Sequence, residues 1–561
     1  MAHYQIENVS FQYPGCPDPT LQNISFTIEE GEFVLLCGSS GSGKTTLLRQ
    51  LKREIRPEGI RNGRIHYRGL PLDQVDERSS IEEIGMVFQD PDNQIVMNTV
   101  WQELTFAMEN LGYSTAQMQR RVGELAQFFG MEDWLQLPVH ELSGGQKQLV
   151  NLASVMTLRP RVLLLDEPTA QLDPIAAKEF VQLLSRINEE FSITIVISEH
   201  RIEEIVPLSS KLVLLRQGQT AYCGSPDSVM KQIWSQGDSS FIPYLPSISQ
   251  LYLEAGGSEE KRAIPVSVKE GKTWIAANRD RLIASEDVEP ETRGEAEQGP
   301  KPLAEPLLTC KELYFTYDKH APLVLKRLSL SIHRGEFFAL FGGNGSGKST
   351  LLQQIAGALA PQRGDIQYAG KSLLRASARD RSLKIGYVAQ NPMLYFTRDT
   401  VREQLEDRLK RLGEQGSRAR LNELVTSFEI EEIMDKHPFD ISGGQQQKVA
   451  LILVLLTSPE LLLLDEPTKG LDPMSKQKLA ELLKMIRESG TTILMVSHDI
   501  EFAASHATRC GLLFGGAMVA VEETRSFLRN NYFYTTAVHR TIGDILSSAI
   551  TVKDVWKQWE K

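Results

Sequence analysis

Two stretches of this chain set a lysine and a hydroxyl residue directly behind a glycine-rich turn: GSSGSGKT at 38–45 and GGNGSGKS at 342–349. That combination suits polyphosphate. Gly38, Gly41 and Gly43 free the backbone to curl until its amides face phosphate oxygens, and a following helix adds the positive end of its dipole. Lys44 can bridge β and γ phosphates, the Thr45 hydroxyl can ligate Mg2+, and Thr46 belongs to the same phosphate-binding set. Gly342, Gly345, Gly347, Lys348, Ser349 and Thr350 offer the same groups a second time.

A carboxylate pair accompanies each stretch. Asp166 and Asp465 end the apolar runs RVLLLD and LLLLD, where a carboxylate can hold the Mg2+ shell. Glu167 and Glu466 follow directly and can act as general base toward an attacking water. An isolated Asp-Glu at a strand end is more often merely solvated. Here, however, each aspartate lies 23 residues after the serine of an SGGQ segment, Ser143 or Ser442. Ser143, Gly144 and Gly145, like Ser442, Gly443 and Gly444, open helical sequence, so hydroxyl and amides there can donate to a γ-phosphate.

The elements that must position these groups are legible around them. EFVLLCG (32–38) reads as a buried strand feeding the turn, and TTLLRQLKRE (45–54) continues with helical periodicity. RVLLLDE (161–167) and SITIVIS (192–198) are unbroken apolar runs, as central parallel strands require when both faces are covered. Residues 101–135 read as mainly helical, while YQIENVSFQY and LQNISFTIEE alternate as antiparallel strands do. The expected fold class is α/β: two P-loop units, each with a parallel-sheet core, an antiparallel β layer and a helical subdomain.

The chain is an internal duplication. Lys348 lies 304 residues after Lys44, Ser442 lies 299 after Ser143, Asp465 lies 299 after Asp166, and His498 lies 298 after His200. The expected domains are 1–240 for the first unit and 307–530 for the second. Residues 241–286 read as a C-terminal extension of the first half, in which IPVSVKEGKTWI is compatible with short strands. Residues 287–306, rich in Pro, Gly and Glu, read as a linker, and 531–561 as a tail.

Composition excludes several classes. A net charge of −11 disfavours a general affinity for nucleic acid or anionic lipid. The five cysteines (16, 37, 223, 310 and 510) include no CxxC pair, so a cysteine metal site has no support. The N-terminus lacks the apolar core of a signal peptide, and ALILVLL (450–456) is too short to span a bilayer. Any membrane role would come through a partner.

Paired P-loop and carboxylate motifs with an intervening SGGQ resemble the ATP-binding-cassette (ABC) ATPases over nearly the whole chain. The resemblance implies RecA-like cores that stack head to tail, each nucleotide lying between the P-loop of one cassette and the SGGQ of the other. One site would then combine Lys44, Asp166, Glu167 and His200 with Ser442 and Gly444. The other would combine Lys348, Asp465, Glu466 and His498 with Ser143 and Gly145. It also implies that Gln89 and Gln390 meet Mg2+ or water, that His200 and His498 contact the γ-phosphate, and that Asp173 and Asp472 couple the sites. Tyr13 and Tyr317 match the aromatic that stacks on adenine, with plain packing of the β layer as the alternative. Neither half lacks its lysine, glutamate, histidine or signature, so two hydrolytic sites are expected, paired within one chain.

Residues 89–113 (QDPDNQIVMNTVWQELTFAMENLGY) and 390–405 (QNPMLYFTRDTVREQL) differ, and this is the segment expected to touch a membrane partner. With SEHRIEE (198–204) and NYFYTTAVHR (531–540), they resemble the paired ATPases of energy-coupling factor (ECF) transporters. That resemblance implies peripheral attachment at the cytoplasmic face of the cell membrane. The partners would be a transmembrane T component and an S component that binds a vitamin or metal ion. A conventional ABC importer subunit is the main alternative. A tandem-cassette translation factor fits less well with an acidic linker. A DNA-repair cassette needs a long insertion, for which the 99 residues from Lys44 to Ser143 leave no room.

Overall fold

The computed structural model describes residues 2–257, 263–278, 305–319, 321–413 and 417–559. The chain divides into two compact units, 1–267 and 268–561. The expected linker lies outside the described residues as far as 304.

In the first unit the alternating sequences form the expected β layer. Ala2–Gln12 pairs antiparallel with Leu21–Glu29 on one side and Ile60–Tyr67 on the other. Side chains of one parity (Ile6, Ile24, Phe26, Ile28) are buried, because only one face of such a layer meets the core. The second layer is a six-stranded sheet in the order Gln219–Gly224, Lys211–Arg216, Phe33–Gly38, Thr194–Ser198, Val162–Asp166, Ile84–Val87. All its neighbours are parallel except the first pair. Its three middle strands, Phe33–Gly38, Thr194–Ser198 and Val162–Asp166, are buried at every position, which explains their unbroken apolar sequence.

The expected helical region is also present. Val100–Asn110, Thr115–Phe129 and Gly144–Met156 close on their own core of Val100, Leu104, Met108, Val122, Ala126 and Val150. Thr99, Ser114 and Ser143 start these helices as reciprocal capping boxes with Gln102, Gln117 and Gln146.

The second unit repeats the plan strand for strand. Its β layer is built on Pro306–Phe315, and its sheet runs Ile385–Val388, Leu461–Asp465, Thr492–Val496, Phe337–Phe341, Arg509–Phe514, Ala517–Glu523. Its helical part comprises Val401–Leu412, Arg418–Ser427 and Gly443–Leu455.

The region expected as one extension of the first half, 241–286, divides at residue 267. Ser247–Glu254 stays with the first unit, and Glu203 accepts the Ser247 amide (2.7 Å) at its start. Val268–Ala277 is a helix rather than short strands, and it packs on Ala537–Ile542 of the tail, with Lys272 3.3 Å from Asp544. The alternation Ile264, Val266, Val268 suggested strands, yet Gly271, Trp274 and Ile275 share one buried helical face.

Candidate functional site

Each glycine-rich turn leaves the end of a central strand in a conformation closed to other residues. Gly38 and Gly342 have φ of 148° and 154°, and a Cβ there would lie 2.5 Å from the Leu215 carbonyl oxygen and 2.4 Å from that of Leu513. The turn thus presses against the neighbouring strand, and only glycine fits. The helices Lys44–Gln50 and Lys348–Ala356 follow directly. Lys44 and Lys348 are each 5% exposed. Lys44 Nζ donates to the carbonyls of Gly38 (2.9 Å) and Ser39 (3.2 Å), and Lys348 Nζ to those of Gly342 (2.9 Å) and Gly343 (3.0 Å). Both ammonium groups are therefore held inside their own loop, where an anion cupped by the loop would meet them.

The strand Val162–Asp166 delivers its carboxylate to the same place. Thr45 Oγ1 donates to Asp166 Oδ1 (3.0 Å), and so does Ser198 Oγ (2.8 Å). Burial pushes the Asp166 carboxyl up; the bonds from Ser198 and Thr45 pull against it. In the second unit Tyr387 OH donates to Asp465 Oδ2 at 3.4 Å, while Oδ1 is buried with no hydrogen-bond partner among the described residues. Burial raises the Asp465 carboxyl as well.

The next residue turns sharply. Glu167 and Glu466 have φ of 43° and 50°, left-handed values rare for a glutamate, and each anchors its amide on the adjacent strand at 3.0 Å (Ser198 O, Val496 O). This strain points the side chain off the strand and into a clamp. Glu167 Oε2 accepts from Gln89 Nε2 (2.9 Å) and its Oε1 lies 2.9 Å from His200 Nε2. Glu466 repeats this with Gln390 Nε2 (3.0 Å) and His498 Nε2 (3.1 Å). Burial raises the Glu466 carboxyl, but His498, Lys469 and Lys348 outweigh it and hold the group below the usual carboxylate range. Lysine, aspartate, glutamate, glutamine and histidine, spread over about 150 residues of sequence in each half, thus converge beside one loop. Such an arrangement can hold a polyphosphate with a hard cation and orient a water toward it.

Tyr13 and Tyr317 sit at the rim. Tyr13 OH is 3.2 Å from Thr46 Oγ1 and Tyr317 OH 2.9 Å from Thr350 Oγ1, which ties each ring to its loop helix. Their edges pack on Phe11 and Phe315, and Tyr317 is 64% exposed. Ser143 and Ser442 cap the helices of SGGQ, their hydroxyls accepting from Gln146 and Gln445 amides, so each works as the start of a 13-residue helix. Asp173 and Asp472 likewise cap helices, accepting from Ile175, Ala176 and Ser475 amides.

The segment around Gln89 is tied to the SGGQ helix by Gln148 Nε2 to Phe88 O (3.3 Å), Asn151 Nδ2 to Pro91 O (3.2 Å) and the ion pair Lys147–Asp92 (2.6 Å). Its own bend is braced by Gln94, which accepts from the Phe88 amide (2.9 Å) and donates to Met86 O (3.1 Å). In the second unit the Tyr395 hydroxyl makes both of the equivalent bonds, from the Ala389 amide (2.9 Å) and to Tyr387 O (2.8 Å). An amide in one half and a phenol in the other do the same work, which motif matching passes over. Ser198, Glu199, Tyr387 and Lys469 also reach the site residues, and none of the four is shared between the halves, so the duplication does not point to them.

The ABC transporter family model matches residues 21–170 and 325–469, more than half of the chain, with both glycine-rich loops, both SGGQ segments and both Asp-Glu pairs. A provisionally named ABC transporter ATP-binding protein of Bacillus anthracis is 45% identical over 558 residues, covering 99% of this chain and 98% of that one. The chain belongs to the ABC transporter family of ATP-binding proteins.

Its two cassettes are of the P-loop kind, each with the mixed sheet and helical part described above. A provisionally named HMP/thiamine import ATP-binding protein of Bacillus subtilis is 32% identical, with 91% of each chain covered. The solved structure of cbiO1 from Clostridium perfringens, described as part of the ABC transporter complex cbiONQ, is 29% identical. It covers 46% of this chain and 96% of its own, with a TM-score of 0.39. Among the described residues no helix is long and apolar enough to cross a membrane.

Proposed function

We propose that this chain hydrolyses ATP at two sites and thereby drives a membrane importer of the ECF type, for a vitamin or metal ion. The observation that carries the hydrolytic reading is the clamped glutamate. In each half a carboxylate is held between a glutamine and a histidine beside a phosphate-binding loop. Lys44 and Lys348, with the amides of their loops, bind the β and γ phosphates. The residues fit Mg2+: Thr45, Asp166 and Gln89, and Ser349, Asp465 and Gln390, are hard oxygen donors, and Asp465 Oδ1 is buried with its bonding capacity unused. When bound, that ion neutralises charge on the β- and γ-phosphate oxygens. Glu167 and Glu466 each take the proton of the attacking water, while His200 and His498 contact the γ-phosphate. Ser442 with Gly444, and Ser143 with Gly145, are the further γ-phosphate donors in this reading.

Tyr13 and Tyr317 stack on adenine in this reading. Tyr317→Ala is expected to weaken ATP binding at the second site by about 1–3 kcal/mol, and Tyr317→Phe, which keeps the ring, by far less. Equilibrium binding of a fluorescent ATP analogue checks both, and equal affinities for Ala and parent would leave Tyr317 a packing residue.

The transport reading rests on the two segments after Gln89 and Gln390. They expose Val96 (66%) and Leu394 (73%) and are braced by different side chains, which suits two distinct grooves for two cytoplasmic helices of a membrane partner. The name of the Bacillus subtilis relative supports import as the direction and a vitamin precursor as the substrate class. A conventional ABC importer subunit is the second reading, favoured by the same exposed residues. Purification of the tagged chain from its native membranes in mild detergent, with mass spectrometry of what accompanies it, separates the two. The ECF reading expects a T-type membrane protein with a small hydrophobic S component. A pair of permease domains with a soluble binding protein would replace it with the conventional importer, and ribosomes would overturn both.

A further inference from the structure

The two sites differ at the residue just before the histidine. Glu199 N bonds Leu36 O (3.4 Å) and Ser497 N bonds Leu340 O (3.2 Å), with Leu36 paired to Ser198 and Leu340 to Val496, so Glu199 and Ser497 occupy the same place in the two sheets. Glu199 is a carboxylate only 2% exposed. A buried carboxylate is costly unless donors surround it. Here one oxygen accepts both the amide (2.9 Å) and the hydroxyl of Thr169, and the other accepts the His200 amide (2.9 Å). Glu199 thus bridges the turn just after Glu167 to the backbone of the histidine that touches Glu167.

Ser497 makes a weaker bridge. Its hydroxyl lies 3.4 Å from Thr468 Oγ1 and accepts the Asp499 amide (2.9 Å), so no side chain at this position receives the His498 amide. Neighbouring differences run the same way. Ser198 bonds Asp166 where Val496 cannot bond Asp465, and Lys469 lies 3.7 Å from Glu466 where the first half has Ala170.

We infer that Glu199 is a positioning residue for hydrolysis at the first site, holding His200 and the Thr169 turn in register with Glu167, and that the two sites are therefore kinetically unequal. Charge-assisted bonds of this kind lock the group that must meet the γ-phosphate, so their loss should reduce turnover more than nucleotide binding. The inference rests on the hydrolytic reading proposed above.

The test compares Glu199→Ser, which installs the second half's own residue, with Glu199→Gln and Ser497→Ala in the full chain. ATP turnover and the stoichiometry of bound ATP are measured on each. Glu199→Ser is expected to lower kcat on the order of tenfold with KM for ATP within about twofold and two ATP still bound. Glu199→Gln keeps an oxygen for Thr169 and should fall between Ser and parent, while Ser497→Ala stays near parent. Glu199→Ser no slower than Ser497→Ala would overturn the inference. So would a fall in kcat matched by equal loss of bound ATP, which reports damage to the fold. A parent chain without ATP turnover would instead remove the hydrolytic reading itself.

Discussion

Replacing both clamped glutamates, Glu167→Gln and Glu466→Gln, is expected to lower ATP turnover by at least about a hundredfold while two ATP remain bound. The substitution is isosteric and keeps an amide oxygen and nitrogen where the carboxylate oxygens contact Gln89 and His200, or Gln390 and His498. Each loop lysine is bonded to two carbonyls of its own turn, which the substitution leaves in place, so the phosphate-binding turn should keep its shape. What disappears is the base: a neutral amide cannot take the proton of the attacking water. Each single variant should lose at least the share of turnover belonging to its own site. Phosphate release under saturating Mg-ATP, with bound nucleotide counted by equilibrium dialysis, checks both parts. Parent-level turnover in either single variant would remove that glutamate from the catalytic role.

The complementary change acts on binding. Lys44→Ala should weaken ATP at the first site by about tenfold to a hundredfold and leave the second site with its own affinity; Lys348→Ala should do the reverse. Each ammonium is almost wholly buried and bonded to two carbonyls of its own loop, so the charge is pre-placed and pays little to reorganise when phosphate arrives. Calorimetric titration at concentrations well below the weakened Kd should report one ATP per chain rather than two. Thermal melting gives an independent reading, because ATP stabilises the folded state only in proportion to what it binds. Two sites of unchanged affinity in Lys44→Ala would mean that the loop amides alone hold the phosphates.

By itself the sequence determined a great deal here: the duplication, the strand–turn–helix units, the two-layer α/β plan, and the names of the lysine, aspartate, glutamate, glutamine and histidine that the fold gathers beside each loop. These are legible because they are local. A turn with φ near 150° against a neighbouring backbone admits only glycine, a parallel strand covered on both faces must be apolar throughout, and a capped helix start shows its serine and glutamine. The antiparallel layer was readable on the same grounds.

Only the tertiary structure decided what depends on partners distant in sequence. The left-handed turn at Glu167 and Glu466, which aims each carboxylate, comes from pairing with a strand about 30 residues on, and glutamate carries no local signal for it. The stretch leading into the helix Val268–Ala277 alternates as a strand would, and the helix is settled by packing on the tail helix Ala537–Ile542. The exchange of Gln94 for Tyr395, or of Glu199 for Ser497, has no meaning until the backbone groups each one reaches are in place. A hydrogen bond is a matter of tenths of an ångström between groups that only packing brings together, so the sequence names the candidates and the fold chooses among them.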